Sequence, residues 1–186
     1  TCLAVVVVVW LHGIVGREVS PEQFAVVTVV TLASGYANNT MPGSATLVLN
    51  CRFYDDDVKA RTYAAIERVV RGECIDSGCE KEPTFTYSNH GELTDNSPEV
   101  FGKVRPLFDA VFEDASVDAQ RWTASEDFSE VPRAFGAPYF FWLIGANSDD
   151  ADAPGNHMPD FIPDYEPVVS ASNRAALAAV LAYLAV

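Results

Sequence analysis

Three histidines, His12, His90 and His157, are the chain's only imidazoles. Imidazole is the side chain best suited to hold a borderline metal or to move a proton near neutral pH. His12 falls in an apolar helical stretch and His90 follows a short strand, so both read as structural or surface residues. His157 stands apart. It lies in Asp152-Ala153-Pro154-Gly155-Asn156-His157-Met158-Pro159-Asp160, a loop after an apolar strand, where α/β enzymes place functional groups. An acidic turn, Ser125-Glu126-Asp127-Phe128, and a polar turn, Asn38-Asn39-Thr40, add carboxylates, hydroxyls and amides. A Ser125/His157/Asp hydrolase is the poorest chemical reading, because no Gly-x-Ser-x-Gly elbow surrounds Ser125. Ser125 more naturally caps a following helix, with Glu126 and Asp127 in its first turn. A catalytic zinc needs three protein ligands and a dimetal site more. These residues do not obviously assemble that set, and the chain has no phosphate loop and no dinucleotide fingerprint.

Cys2, Cys51, Cys74 and Cys79 are few for a disulfide scaffold in 186 residues. Cys74 and Cys79 have the look of half a zinc knuckle, but without a second pair they read as reduced thiols at a helix end. A cytoplasmic, reducing setting follows. With 26 acidic against 12 basic residues the net charge is −14, which repels a phosphate backbone and disfavours both nucleic acid and an anionic membrane. The apolar opening, Cys2–Leu11, falls short of the roughly 20 residues a bilayer span needs and lacks the flanks of a secretory signal. A chain beginning at Thr1 suits a processed product or a piece of a longer protein.

The elements that must position these residues follow from patterning. Residues 3–18 end in a helix-compatible stretch, although Val5–Val9 favours strand by propensity. Phe24–Leu32 is a β-rich run and Ala45–Tyr54 alternates like a second strand. Between them, residues 34–43 carry strong turn chemistry. Asp55-Asp56-Asp57 predicts an N-cap and acidic first turn for a helix through about Arg71, with Arg68 and Arg71 at its C-terminus. Thr84–Tyr87 reads as a short strand. This half is helix–strand–strand–helix–strand, an α+β arrangement with helices on one face of an antiparallel sheet.

The second half differs. Ser97-Pro98-Glu99 opens a helix to about Phe112 with a kink at Pro106. Pro138–Gly145 predicts a continuous apolar strand buried on both faces. Asn147–Pro163 is a loop and Ser172–Val186 a terminal helix. The boundary falls near residues 89–96, giving domains 1–90 and 91–186.

Taken in order, Asn39-Thr40-Met41-Pro42, Cys51-Arg52, Ala124-Ser125-Glu126-Asp127-Phe128 and Asn156-His157-Met158-Pro159 resemble the dimetal amidohydrolases of the hippurate hydrolase and aminoacylase type. These belong with metallopeptidases that include carboxypeptidases cleaving glutamate-type conjugates. The family shows Asn-x-x-Pro, an Arg thirteen residues after that Asn, a Ser-Glu-Asp-Phe turn and a late His-Ser-Pro loop. The resemblance implies a ferredoxin-like lid, two helices on an antiparallel sheet, followed by the C-terminal part of a three-layer α/β metallohydrolase domain. It implies that His157 is a metal ligand, that Asn39 and Arg52 hold the substrate's carboxylate or scissile carbonyl, often across a dimer, and that Glu126 stands near the site.

Two departures are plain: Met158 replaces the family's Ser, and Val5–Val9 is unusual for the lid's first helix. The family's other metal ligands and its general-base Glu precede the lid. The resemblance therefore implies a fragment of a zinc- or manganese-dependent enzyme acting on N-acyl amino acids or related amides, with a homodimer formed through the lid. Alone, this chain is expected to be inactive and not to bind metal stably. The alternative is a non-catalytic dimerisation module derived from that family. Apolar surface left uncovered on the strand and terminal helix is expected to drive association.

Overall fold

The computed structural model describes residues 2–88, 91–147 and 152–184; His90 lies outside them. The chain divides into two compact units, Thr1–Leu93 and Thr94–Val186.

In the first unit, α1 spans Cys2–Glu18, β1 Ala25–Ser34, β2 Ala45–Phe53 and α2 Asp56–Asp76. Val5–Val9 is helical despite its strand propensity. The reason is tertiary: Ala4, Val7, Leu11 and Ile14 recur at helical spacing and bury as one stripe. Val7, Leu11 and Ile14 meet Ala65 and Ile66 of α2, with Val27, Val29, Leu47, Leu49 and Cys51 packed against them. Two helices thus cover one face of a two-stranded antiparallel sheet. A bulge between Val29 and Thr31 shifts the register and restores the pairing Leu32↔Leu47 beyond it.

Asp55 caps α2 as expected, accepting from the Val58 N–H at 2.8 Å. The helix does not stop near Arg71. Arg68 pairs with Glu18, and Arg71 with Glu67 and Glu82, so these cations serve side-chain partners while the helix runs on to Asp76. It ends where Gly78 takes φ 65°. There the Cys79 N–H donates to the Cys74 carbonyl (2.9 Å) and the Gly78 N–H to the Ile75 carbonyl (3.0 Å). Residues 84–87 are not a strand. Side chains, not a ladder, hold this segment: Arg71 donates to Glu82 (3.0 Å) and lies 5.0 Å from the Phe85 ring, and the Tyr87 hydroxyl donates to Glu67 (2.7 Å).

In the second unit, α3 spans Pro98–Phe112 and is capped by Ser97, whose hydroxyl accepts from the Val100 N–H. It continues through Pro106 as one helix. A 3-10 turn (Glu113–Ala115), α4 (Glu130–Ala134) and α5 (Tyr165–Leu184) follow. α5 begins seven residues before the expected Ser172. Its Ala175 and Ala178 pack with Val104 and Phe108 of α3. By length and composition α5 could cross a bilayer; of its side chains, those of Ala175 and Ala178 are buried, and Leu177, Val180, Leu181, Tyr183 and Leu184 are exposed.

The expected strand over 138–145 is irregular, and among the described residues this unit holds no strand. The segment is half-buried, with Leu143 50% exposed. Its polar backbone is served by other means. The Ser97 N–H donates to the Tyr139 carbonyl. The Asn96 side chain accepts from the Phe141 N–H (2.7 Å) and donates to the Phe141 carbonyl (2.9 Å). One carboxamide thus makes the paired bonds a neighbouring strand would make. On the side chains, Phe140 and Trp142 pack against Phe108, the first tilted and the second edge-on, with ring centroids 6.1 and 5.5 Å away.

Candidate functional site

Asn39 occupies an exposed turn at the tip of the β1–β2 hairpin. The tip is shaped by Gly35, at φ 84°, where an added Cβ would stand 3.2 Å from the Pro42 ring. The Ser34 hydroxyl donates to the Ser44 carbonyl (3.0 Å), closing the loop at its base. A shallow hollow lined by Ser34, Tyr36, Asn38, Thr40 and Pro42 lies there. Arg52 pairs with Val26 at the other end of the hairpin. Seven residues of strand from Ala45 place it about 23 Å from the loop base at ~3.3 Å per residue. Within one chain Asn39 and Arg52 do not converge. Arg52 shares its sheet face with Asn50, whose side-chain oxygen accepts from its Nε at 3.0 Å. A separate cavity of about 260 Å³, lined by Glu18, Arg61, Thr62, Ala64, Ala65 and Arg68, contains none of the candidate residues.

In the second unit, Glu126 folds onto its own turn, its carboxylate accepting from the N–H groups of Asp127 (3.0 Å) and Phe128 (3.1 Å). Ser125 is therefore not the helix cap. The next helix, α4, starts five residues later, at Glu130, behind Ser129, which is fully buried. The Phe128 ring lies 5.9 Å from Tyr139 and 5.1 Å from Phe141, fixing the acidic turn against the aromatic segment.

His157 sits in the loop whose base is closed by the Asp164 N–H on the Ala146 carbonyl (2.9 Å). It is exposed. Its backbone takes φ 68°, the left-handed region, inside a turn formed by the Met158 N–H on the Gly155 carbonyl. Outside glycine that region is uncommon, and asparagine, aspartate and histidine enter it more often than other side chains. A bulky residue there costs local free energy, a pattern concentrated at functional sites. The strain was not legible beforehand; the only hint was the Asp, Pro, Gly and Asn content of the loop.

Among the described residues, no three His, Cys, Asp or Glu side chains gather as a metal-holding group. The dimetal centre that the resemblance implies does not fit on these residues alone, since His157 offers one ligand where at least three are needed.

No family model matches the chain. It is 27% identical over 154 residues to thermostable carboxypeptidase 2 of Saccharolobus solfataricus, covering 83% of this chain and 38% of that protein. It is 26% identical over 166 residues to N-acetyldiaminopimelate deacetylase of Bacillus pumilus, covering 88% of this chain and 41% of that one. Among solved structures, a dinuclear metal-binding peptidase of the M20 family from Bacillus subtilis matches with a TM-score of 0.73 at 20% identity, over 97% of this chain and 45% of that one. The chain spans about two fifths of the length of these two curated relatives. The chain is thus similar in sequence to a carboxypeptidase and a deacetylase, and similar in fold to an M20-family peptidase structure.

Proposed function

We propose that the chain works as part of an M20-type hydrolase that cleaves N-acyl amino acids or related amides. The observation that carries this reading is His157, held at φ 68° in a loop closed at its base, in the sequence context that the resemblance assigns to a metal ligand. In this reading His157 is one ligand to a zinc or manganese centre, completed, together with the catalytic base, by residues outside the described chain. Arg52 offers a planar fork for the substrate carboxylate, a geometry Lys lacks. Asn39 donates to the scissile carbonyl oxygen, and Glu126 stands beside the site.

A homodimer through the first unit accounts for the separation of Asn39 and Arg52, because the two ends of one hairpin can then serve different active sites. The exposed Val5, Val9 and Trp10 of α1 supply apolar surface for such association. The four free thiols suit a cytoplasmic setting.

The test compares two polypeptides. The 186 residues alone, supplied with zinc or manganese, release no amino acid from N-acetylated substrates. The polypeptide as its source cells make it does, and His157→Ala in it abolishes turnover. Turnover by the 186 residues alone, or full turnover after His157→Ala, overturns the reading. A native mass of 20.2 kDa would instead leave the non-catalytic dimerisation module, which the exposed face of α1 favours.

A further inference from the structure

The end of α2 carries a feature that the hydrolase reading does not use. Cys74 and Cys79 are the first and sixth residues of the doubly bonded helix end described above, tied by the 2.9 Å bond from the Cys79 N–H to the Cys74 carbonyl. This geometry brings those two positions close, and where helices end this way an apolar contact frequently joins them. Here both side chains are thiols. Cys79 is exposed, Cys74 is half-buried, and both are free. Immediately beyond them, residues 82–87 fold back on α2 through the Arg71–Glu82, Arg71–Phe85 and Tyr87–Glu67 contacts. The two cysteines therefore flank the hinge of that return.

We propose that Cys74 and Cys79 form a reversible redox site, oxidised by a small-molecule disulfide to an intramolecular disulfide that locks the α2 cap and holds the returning segment. Cys79 is the exposed thiol of the pair, so it meets the small disulfide first. Its thiolate bonds to one sulfur of the small disulfide, whose own S–S bond breaks and releases one small thiol. The Cys74 thiolate then attacks the Cys79 sulfur and expels the second. Two electrons pass from the cysteines to the small disulfide, and the two protons leave on the two small thiols. Reduction runs the same steps backwards.

The test uses the full chain equilibrated with 2-hydroxyethyl disulfide and its thiol. This probe is uncharged, so Glu73, Glu80 and Glu82 do not repel it. After alkylation and tryptic digestion, one peptide, 72–81, carries both cysteines and neither of the others. It is expected to resist alkylation and to weigh about 2 Da less than the dithiol form, at ratios where Cys2 and Cys51 are still alkylated. Native trypsin cleavage after Lys81 is expected to slow several-fold in the oxidised chain. Cys79→Ser, an exposed position whose unchanged circular dichroism checks the fold, removes the lighter peptide and restores the cleavage rate. A fully alkylated 72–81 peptide at every ratio, cross-links only between separate chains, or unchanged cleavage after oxidation overturns the proposal.

Discussion

The first unit sets its cluster of Val7, Leu11, Ile14, Ala65 and Ile66 between two helices and a hairpin, whose backbone groups bond within an element or to its immediate neighbour. The second gathers Val104, Phe108, Ala175 and Ala178 between α3 and α5, but lays against them a segment, 138–146, that has neither helix nor ladder to absorb its polar backbone. Apolar content is high in both. What separates them is the supply of hydrogen-bond partners, because a buried peptide group without one costs about as much as a buried apolar side chain contributes. The first unit encloses Val7, Leu11 and Ile14 almost completely, while the irregular segment of the second leaves Leu143 half exposed; both units keep other apolar side chains at the surface, Val9 and Trp10 in the first, Leu177 and Val180 in the second.

Core truncation should show the contrast most strongly. Leu11 is 0% exposed, and Leu11→Ala is expected to cost ~2–5 kcal/mol through lost burial and the cavity left behind. Leu143→Ala, at a half-exposed position, should cost less than ~1 kcal/mol. Urea unfolding read separately at Trp10 and Trp142 gives both values. Equal losses would mean that the second unit is as well sealed as the first.

Next in size is Asn96. Asn96→Ala removes both bonds to the Phe141 backbone and is expected to destabilise the second unit by about 1 kcal/mol, with faster amide exchange at Phe141. An unchanged exchange rate there would show that the carboxamide does not stand in for a strand.

The two units should also respond to opposite ends of the pH scale. The Tyr87 hydroxyl is pushed up to about 12, first by partial burial and then by its hydrogen bond to Glu67. An unfolded tyrosine titrates near 10, so the contribution to the first unit is complete below about pH 10 and is lost as pH rises toward 12. In the second unit, the Ser116 hydroxyl and then Arg105 hold the Asp109 carboxyl below its usual range. That contribution is complete above about pH 4 and is lost on acidification. Tyr87→Phe should flatten the basic limb only and Asp109→Asn the acidic limb only, followed as urea midpoints across pH. Crossed effects would show that the two units do not unfold separately.

The same difference in partners explains what could be read from sequence. Asp55 and Ser97 act on N–H groups three residues away, so both caps were visible in the chain itself. The end of α2 is hidden in the sequence because Arg68 and Arg71 look like helix-terminal cations, whereas Glu18, Glu67 and Glu82 engage them. The stop is Gly78, at φ 65°. Ser125 failed as a cap because Glu126 turns back on its own backbone. Residues 84–87 and 138–145 carry the composition of strands, yet pairing depends on a neighbour that composition does not specify. For the site, residue types and order were legible, whereas the distance between Asn39 and Arg52 and the backbone of His157 depend on folded geometry.

The smallest effects bear on that backbone. Among the described residues, two non-glycine residues take positive φ, Glu113 at 50° where α3 ends and His157 at 68° in its loop. Replacing a strained residue by glycine removes the steric cost while adding freedom to the unfolded chain. Glu113→Gly should therefore gain at most about 1 kcal/mol. If His157 is kept for a ligand and not for packing, His157→Gly should likewise leave stability equal or slightly higher, read as the urea midpoint at Trp142. A residue retained for structure would show the opposite sign, because its side-chain contacts would be lost along with the strain. Loss of stability in His157→Gly, beside a gain in Glu113→Gly, would make His157 a structural residue and remove the observation on which the hydrolase reading rests.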